Sequence, residues 1–178
     1  MKKHILIYGL IAGIAVSLPM LLVISNCMSS GNFESGASMI IGYASMIIVF
    51  SMVFVGIKNY RDKFNGGEIT FGKSFKMGIL IVLVASTIYV ITWQIDYFFY
   101  FPDFAEKYSS HVLEKMKADG SSAADIQQKT EEMAKFVVWY KNPIYNALMT
   151  YAEIVPVGLI VTVISSFILK RKKAVSQA

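Results

Sequence analysis

One acidic side chain lies deep inside a long apolar stretch of this sequence. Glu153 is the only charged residue between Tyr145 and Leu169, a run without lysine, arginine or histidine. If that run crosses a membrane, the carboxyl group is costly to place there, and an acid inside a span is by default a candidate functional residue. Glu153 is therefore the residue of this chain most able to support chemistry within a membrane.

Further polar residues fall on matching helix faces. At about 100° per residue, Glu153 shares a face with Asn146, and Asp96 shares a face of the preceding apolar helix with Tyr89. If these faces pack together, the sequence predicts an intramembrane polar cluster of Glu153, Asp96, Asn146 and Tyr89. Two interpretations stay open: a hydrogen-bond network that joins helices, which we favour, or a transport or ligand site.

The protonation state of the Glu153 carboxyl distinguishes these interpretations. No basic residue lies at its depth in any apolar run, so the sequence predicts no salt bridge there. The carboxyl is then either neutral and hydrogen-bonded, or ionised in a water-filled cavity. Counting along the runs gives four candidate hydrogen-bond partners at a similar depth: Ser17, Tyr43, Ser45 and Tyr89.

Residues 67–74 match a nucleotide-binding pattern. Gly67-Glu68-Ile69-Thr70-Phe71-Gly72-Lys73-Ser74 fits the P-loop sequence GxxxxGK[ST]. A true P-loop follows a buried strand and lies in a parallel sheet. This segment follows a charged stretch and precedes an apolar run, so we expect no nucleotide binding.

Other catalytic signatures are missing from the sequence. It contains no HExxH, CxxC, GxGxxG or GxSxG motif. We therefore expect no catalytic residues, no metal site and no cofactor, and a function that is not enzymatic. The single cysteine, Cys27, cannot form an internal disulfide. Asn26 before it and the 20-residue run upstream argue against a lipoprotein signal, whose apolar region is about 7–15 residues.

The elements that must hold these residues are four apolar runs. Hydrophobic residues make up 55% of the 178-residue chain and charged residues 16%, against about 25% charged in soluble domains. A helix needs about 20 residues to cross a bilayer. The sequence therefore predicts an all-α integral membrane bundle, a single domain over residues 1–178, with transmembrane helices at about 5–24, 37–57, 77–97 and 145–169.

The basic residues mark one side of the predicted bundle. The net charge is +5, and 11 of the 17 basic residues flank the apolar runs on the side of both termini. By the positive-inside rule this side is cytoplasmic, where it faces anionic lipid headgroups rather than nucleic acid. The predicted headgroup-facing residues are Lys58, Arg61, Lys63, Lys73, Lys76, Lys170, Arg171, Lys172 and Lys173.

The long segment 102–142 is polar but patterned. Two apolar stripes with helical spacing flank the turn signal Asp119-Gly120. Ser122 with Asp125 resembles a capping box, and Asn142-Pro143 is typical of a helix start. The segment is therefore predicted to be a periplasmic helical hairpin inserted between the third and fourth transmembrane helices, and a possible surface for a protein partner.

Small residues recur every four positions in two of the apolar runs. The first run has Gly9, Gly13 and Ser17, and the fourth has Gly158, Thr162 and Ser166. Such stripes let helix backbones approach closely within a bilayer. Since four helices need close contacts, we favour packing within one chain over a dimer interface.

Three segments resemble a known family. They are YGLIAGI at 8–14, GIKNYRDKFNGGEITFGKSFKMG at 56–78, and the stretch from Asn142-Pro143 through Glu153 to PVGLIVTVISSFILKRK ending at 172. They are similar to the bacterial membrane-protein family called domain of unknown function 4199. The resemblance implies four transmembrane helices in a bacterial inner membrane, and it implies no activity and no site residue.

Two functions are compatible with these features. The first is a non-enzymatic structural or interaction protein of the inner membrane that acts through its hairpin or its basic face. The alternative is a small proton- or solute-linked transporter or channel component that uses Glu153 and Asp96.

The charge distribution makes a testable prediction of topology. Reporter fusions at Gly120 and at Ala178 should report opposite compartments, with Ala178 in the cytoplasm, because the hairpin and the C-terminus are separated by one transmembrane helix. Activity of both fusions in the same compartment would mean that a membrane-spanning helix has been miscounted.

Overall fold

Helices form almost all of this chain because a membrane-embedded backbone must satisfy its own hydrogen bonds. The computed structural model describes residues 1–31, 33 and 36–171, and only the backbone of residues 36–39. Within these residues the sole β-like feature is an isolated bridge between Ile69 and Arg171. The helices are α1 (Lys2–Ser30), α2 (Gly36–Phe64), α3 (Phe71–Ile95, continued by a π-helical turn at Asp96–Tyr100), α4 (Phe104–Ala118), α5 (Ala123–Tyr140) and α6 (Pro143–Leu169).

Four of the helices are long and apolar enough to cross a membrane. They are Lys2–Ser30, Ile40–Phe64, Phe71–Tyr100 and Pro143–Leu169, which confirms the predicted number of spans. The helices are longer than the apolar runs because their ends are set by capping rather than by hydropathy. Gly31 ends α1 in the left-handed conformation, with φ 70°, and the Thr70 side chain caps the start of α3 at Phe71.

The four long helices form a closed ring in which α3 packs against α1 and α6, and α2 packs against the same two helices. At one end of the bundle α1 ends, α2 begins, and the helices α4 and α5 pack against α3; we call this the hairpin end. The opposite end contains the α2–α3 loop and the end of α6. There the Nη1 atom of Arg61 donates to the Leu169 carbonyl oxygen at 3.2 Å. We call it the basic end. Lys172 and Lys173 lie outside the described residues.

Helix α3 packs against glycines on both of its neighbours. A methyl group at Gly13 of α1 would lie 2.7 Å from Cδ1 of Ile88, and one at Gly158 of α6 would lie 2.5 Å from Cγ1 of Val82. Conversely, Gly78 of α3 is covered by Thr162 of α6. The interpretation that the small-residue stripes serve packing within the chain is thus confirmed for both helices.

The segment 102–142 forms the two helices α4 and α5, and its position outside the membrane stays a prediction. Gly120 turns the chain with φ 74°, and the Ser122 hydroxyl accepts the Asp125 N–H at 3.2 Å. Asn142 caps α6 by accepting the Ile144 N–H at 2.9 Å. Rings from the two stripes meet at Tyr108 and Phe136, 6.0 Å apart, so the stripes pack together.

The segment that matches the P-loop pattern has a different structure from a P-loop. It follows helix α2 and leads directly into α3. The Lys73 and Ser74 N–H groups, which a P-loop would direct at phosphate oxygens, donate instead to the Thr70 hydroxyl (3.3 Å) and the Thr70 carbonyl (3.0 Å). The three N–H groups at the start of the segment also donate to carbonyls of this chain. These bonds run from Gly67 to Arg61 (2.9 Å), from Glu68 to Asn65 (3.3 Å) and from Ile69 to Arg171 (3.1 Å).

The lysine of this segment also has partners within the chain. The Lys73 ammonium donates to Oδ1 of Asn65 and lies 5.3 Å from the centre of the Tyr60 ring. Phosphate binding would require Lys73 to leave both groups. The loop is therefore held as a compact connection between α2 and α3.

Substituting the packed glycines tests the close approach of the helices. We expect Gly158→Ala to lower the free energy of unfolding in detergent by about 1–3 kcal/mol, because the methyl group would overlap Val82. Gly42→Ala in α2 is the matched control, since a methyl group there meets nothing within 4 Å. The control should gain about 0.5–1 kcal/mol from helix propensity. Equal stabilisation of both variants would contradict the packing described here.

Candidate functional site

A cavity of about 240 Å³ lies in the half of the bundle nearest the hairpin end. Its walls come from α1, α2, α3 and α6, and α4 closes it from above. Most of the lining is hydrocarbon, because apolar side chains of α1 and α2 face it. These residues include Val16, Met20, Val23, Ile24 and Met46.

The polar side of the cavity centres on Glu153. Its side chain is accessible and lines the cavity together with Tyr43, Ser45 and Tyr89. The Ser45 hydroxyl donates to the Gly42 carbonyl of its own helix at 2.7 Å. Within the described part of the chain, the Glu153 carboxyl takes part in no hydrogen bond or ion pair. The cavity therefore contains an acidic group that remains open to a ligand.

Three of the four predicted hydrogen-bond partners thus lie around the cavity with Glu153. The fourth, Ser17, is buried elsewhere and donates to the Gly13 carbonyl at 2.8 Å. Tyr43, Ser45 and Tyr89, selected by counting residues from helix ends, line the same cavity as Glu153 but are not hydrogen-bonded to it. Counting residues could not show that both serine hydroxyls bond to their own helices.

Aromatic rings form the roof of the cavity. Phe33, Phe104 and Tyr108 line its upper side, with ring centres 5.7 Å apart between Phe33 and Phe104 and 6.2 Å apart between Phe104 and Tyr108. Phe104 also contacts Trp93 of α3, with centres 5.0 Å apart. The roof is therefore part of the contact that fixes the hairpin to the bundle.

A layer of hydrogen bonds beside the cavity joins α3 to α5 and α6. The Trp93 indole N–H donates to the Tyr140 hydroxyl at 3.0 Å. Burial raises the pKa of the Tyr140 hydroxyl, against the opposite effect of that indole N–H. Gln94 donates to Oδ1 of Asn146 at 2.8 Å and to the Pro143 carbonyl at 3.1 Å. Asn146 is fully buried, so its amide joins helices rather than facing the cavity.

Asp96 occupies a different place. It is buried at the start of the π-helical turn and lines a second cavity of about 430 Å³ with Leu21, Ser25, Thr92 and Tyr100. Its Oδ2 atom has no hydrogen-bond partner among the described residues. The structure thus brings together Glu153 and Tyr89 of the predicted cluster, places Asn146 in the neighbouring hydrogen-bond layer and separates Asp96 from all three.

The position of Asp96 along α3 explains this separation. Asp96 shares a face with Tyr89 but lies seven residues nearer the hairpin end, about 10 Å at 1.5 Å per residue. There it lines the second cavity with Thr92. In the π-helical turn the Phe101 N–H bonds to the Asp96 carbonyl oxygen, five residues back, at 2.9 Å. This turn alters the helical register beyond Asp96, so a constant angle per residue gives the face of Asp96 itself but not that of the residues that follow it.

Some site residues were not identified from the sequence. Gln94 is a lone amide in an apolar run, a signal that marks it as polar but does not reveal Asn146 as its partner. Phe33 and Tyr108 reach the cavity from a connection and from α4, and no periodicity in the sequence points there. Such contacts depend on how the hairpin packs on the bundle.

The predicted headgroup-facing residues that the structure describes lie at the basic end. Lys58, Lys63, Lys76, Lys170 and Arg171 are exposed. Arg61 and Lys73 are half-buried and bond to groups of the chain itself, as described above. The exposed set is therefore the part of the basic end that remains accessible to headgroups.

Comparison with known proteins gives one result. No curated protein and no solved structure matches this chain. The model of a family described as Protein of unknown function (DUF4199) does match, over residues 7–171. That match covers nearly the whole sequence, including all four spans, the hairpin and both cavities. The chain belongs to the DUF4199 family.

Proposed function

We propose that this chain is a non-enzymatic protein of the bacterial inner membrane that works by binding a protein partner through its helical hairpin. In this proposal both termini are cytoplasmic and the hairpin is periplasmic. Support comes from the charge distribution, because the exposed lysines at the basic end flank three of the four spans. Such residues are retained on the cytoplasmic side and interact with anionic headgroups.

The observation that carries this proposal is the way in which the hairpin is held. Phe104 and Tyr140 of the hairpin both contact Trp93 of α3. Lys141 pairs with Glu106 across the hairpin at 2.6 Å. Anchored in this way, the hairpin presents a fixed rather than a mobile surface. A surface that is ordered before binding loses less entropy on association.

The outward face of the hairpin has the character of a protein-binding surface. Residues 102–142 carry six lysines and seven acids, so charges of both signs are interspersed. Glu131, Glu132 and Lys135 are exposed on α5. Mixed charge favours a partner with a complementary charge pattern over a uniformly charged polymer such as nucleic acid.

The use of buried polar groups supports a function without catalysis. Asn146, Gln94, Trp93 and Tyr140 are bonded to one another or to backbone carbonyls in contacts that join helices. At the start of α3, the Lys73 and Ser74 N–H groups, which phosphate binding would require, are bonded to Thr70, which supports the proposal that this segment binds no nucleotide. These groups stabilise the fold, which leaves binding at surfaces and cavities as the basis of function.

A second candidate function rests on Glu153. A carboxyl that lines a cavity within the span of α6, with no bond to described residues, is suited to a proton- or solute-linked transporter or channel component. Asp96, in the second cavity, would contribute a separate acidic position on the same half of the bundle. The two cavities give this alternative a structural basis.

Photo-crosslinking tests the partner proposal. A photoreactive phenylalanine analogue at Glu131 should give a discrete protein adduct in native membranes, because that side chain faces away from the bundle. The matched control is the same analogue at Leu22, whose side chain is 73% exposed on the apolar surface of α1 and should meet lipid. Protein adducts at Leu22 but not at Glu131 would contradict the proposal.

A further inference from the structure

We infer that the Glu153 cavity is a binding site for a small organic cation, with its ammonium group beside the carboxylate and an aromatic or branched apolar body against the remaining walls. The inference rests on the second candidate function, in that the cavity is a ligand site, and it adds the chemical class of the ligand. It does not depend on the partner proposed for the hairpin.

The sign of the charge follows from the residues that line the cavity. Among the described residues that line the cavity, Glu153 has the only charged side chain. His111 contacts Phe33, with ring centres 5.8 Å apart, but it does not line the cavity. A carboxylate in apolar surroundings favours a cation, and an anion there would be repelled without a compensating donor.

The remaining lining distinguishes an organic cation from a metal ion. Calcium and magnesium take six or more oxygen ligands or keep bound water. Beyond Glu153, the oxygen atoms of the described lining side chains are neutral hydroxyls of tyrosines and of Ser45, whereas these ions prefer carboxylate, carbonyl and water oxygens. Most of the remaining lining is methionine, valine and isoleucine side chains and the faces or edges of rings. An ammonium group with carbon substituents can satisfy its charge at one carboxylate while its substituents contact hydrocarbon.

Aromatic rings add a second attraction for a cation. Tyr43 and Tyr89 line the cavity on the same side as Glu153, and Phe33, Phe104 and Tyr108 form its roof. A cation within about 6 Å of a ring face is stabilised by the ring quadrupole, and rings of this kind recognise quaternary ammonium groups in other proteins. Carboxylate and rings together favour ammonium over a neutral ligand of equal size.

The volume limits the size of the ligand. An engineered cavity of about 150 Å³ lined by apolar side chains binds benzene. At about 240 Å³, the Glu153 cavity has room for one ring and a short ammonium-bearing arm. Benzyltrimethylammonium has this size and carries a permanent charge, so it serves as a probe.

Equilibrium dialysis of the purified full-length protein in neutral detergent tests the inference. A mildly alkaline buffer avoids competition between the probe and protons for the carboxylate. We expect saturable binding of benzyltrimethylammonium and at least about tenfold weaker binding of phenylacetate, a difference of about 1.4 kcal/mol. Absence of saturable binding of the cation, or equal binding of both probes, would overturn the inference.

Three variants locate the probe. Glu153→Gln should weaken binding by at least about tenfold, because it removes the charge at nearly constant volume. Glu131→Gln makes the same chemical change on the exposed face of α5 and should bind as wild type does. Gly42→Phe should also weaken binding, because Gly42 lines the cavity and the space beside it is open.

The controls separate the possible failures. Melting temperature in the same detergent confirms that each variant is folded. Wild-type affinity in folded Glu153→Gln or Gly42→Phe would place the probe outside the cavity and overturn the inference. Proton flux in vesicles reports on transport itself, so a negative dialysis result with intact, Glu153-dependent flux would reject the cation ligand and leave the second candidate function standing.

Discussion

The structure depends on one constraint: polar groups within a membrane must find partners inside the protein. The side chains of the spans meet it mostly within their own helix, as when the Thr150 hydroxyl donates to the Asn146 carbonyl at 2.9 Å. Others meet it between helices, as when Tyr151 of α6 donates to Thr87 of α3 at 2.9 Å. Glu153 meets it in neither way, since its carboxyl is bonded to no described residue. Asp96 Oδ2 and the Thr162 hydroxyl are also without a partner among the described residues, but these two oxygen atoms are buried, whereas the Glu153 side chain is accessible and lines a cavity.

The same constraint gives α3 its central place. Small residues bring α1 and α6 close to α3. Thr162 of α6 is one of them: it packs on Gly78 of α3, and its buried hydroxyl has no hydrogen-bond partner among the described residues. Near the hairpin end α3 also carries Tyr89, Trp93 and Gln94. The first lines the cavity, and the other two fix α5 and α6. Packing of the bundle, docking of the hairpin and formation of the cavity therefore share one helix.

The sequence predicted those features that depend on local chemistry. The four spans followed from hydropathy, the hairpin from the spacing of its two stripes, and the helix starts at Ser122 and Asn142 from their capping side chains. It did not predict the separation of Asp96 from Glu153, because a shared helix face does not give a shared depth, and Asp96 lies about 10 Å along α3 from Tyr89. The Gln94–Asn146 bond and the cavity roof were also missed, since they require the relative positions of distant elements.

The central claim is that Glu153 faces a cavity, whereas Asn146 holds helices together. The most direct test compares the free energies of unfolding of Glu153→Leu and Asn146→Leu in detergent. Asn146→Leu should cost about 1–3 kcal/mol, because it removes the hydrogen bond by which the fully buried Asn146 side chain joins α6 to Gln94 of α3. Glu153→Leu should change stability by no more than about 0.5 kcal/mol, as for a side chain outside any buried network. A loss in Glu153→Leu as large as that in Asn146→Leu would show that the carboxyl belongs to the network, and would contradict this account.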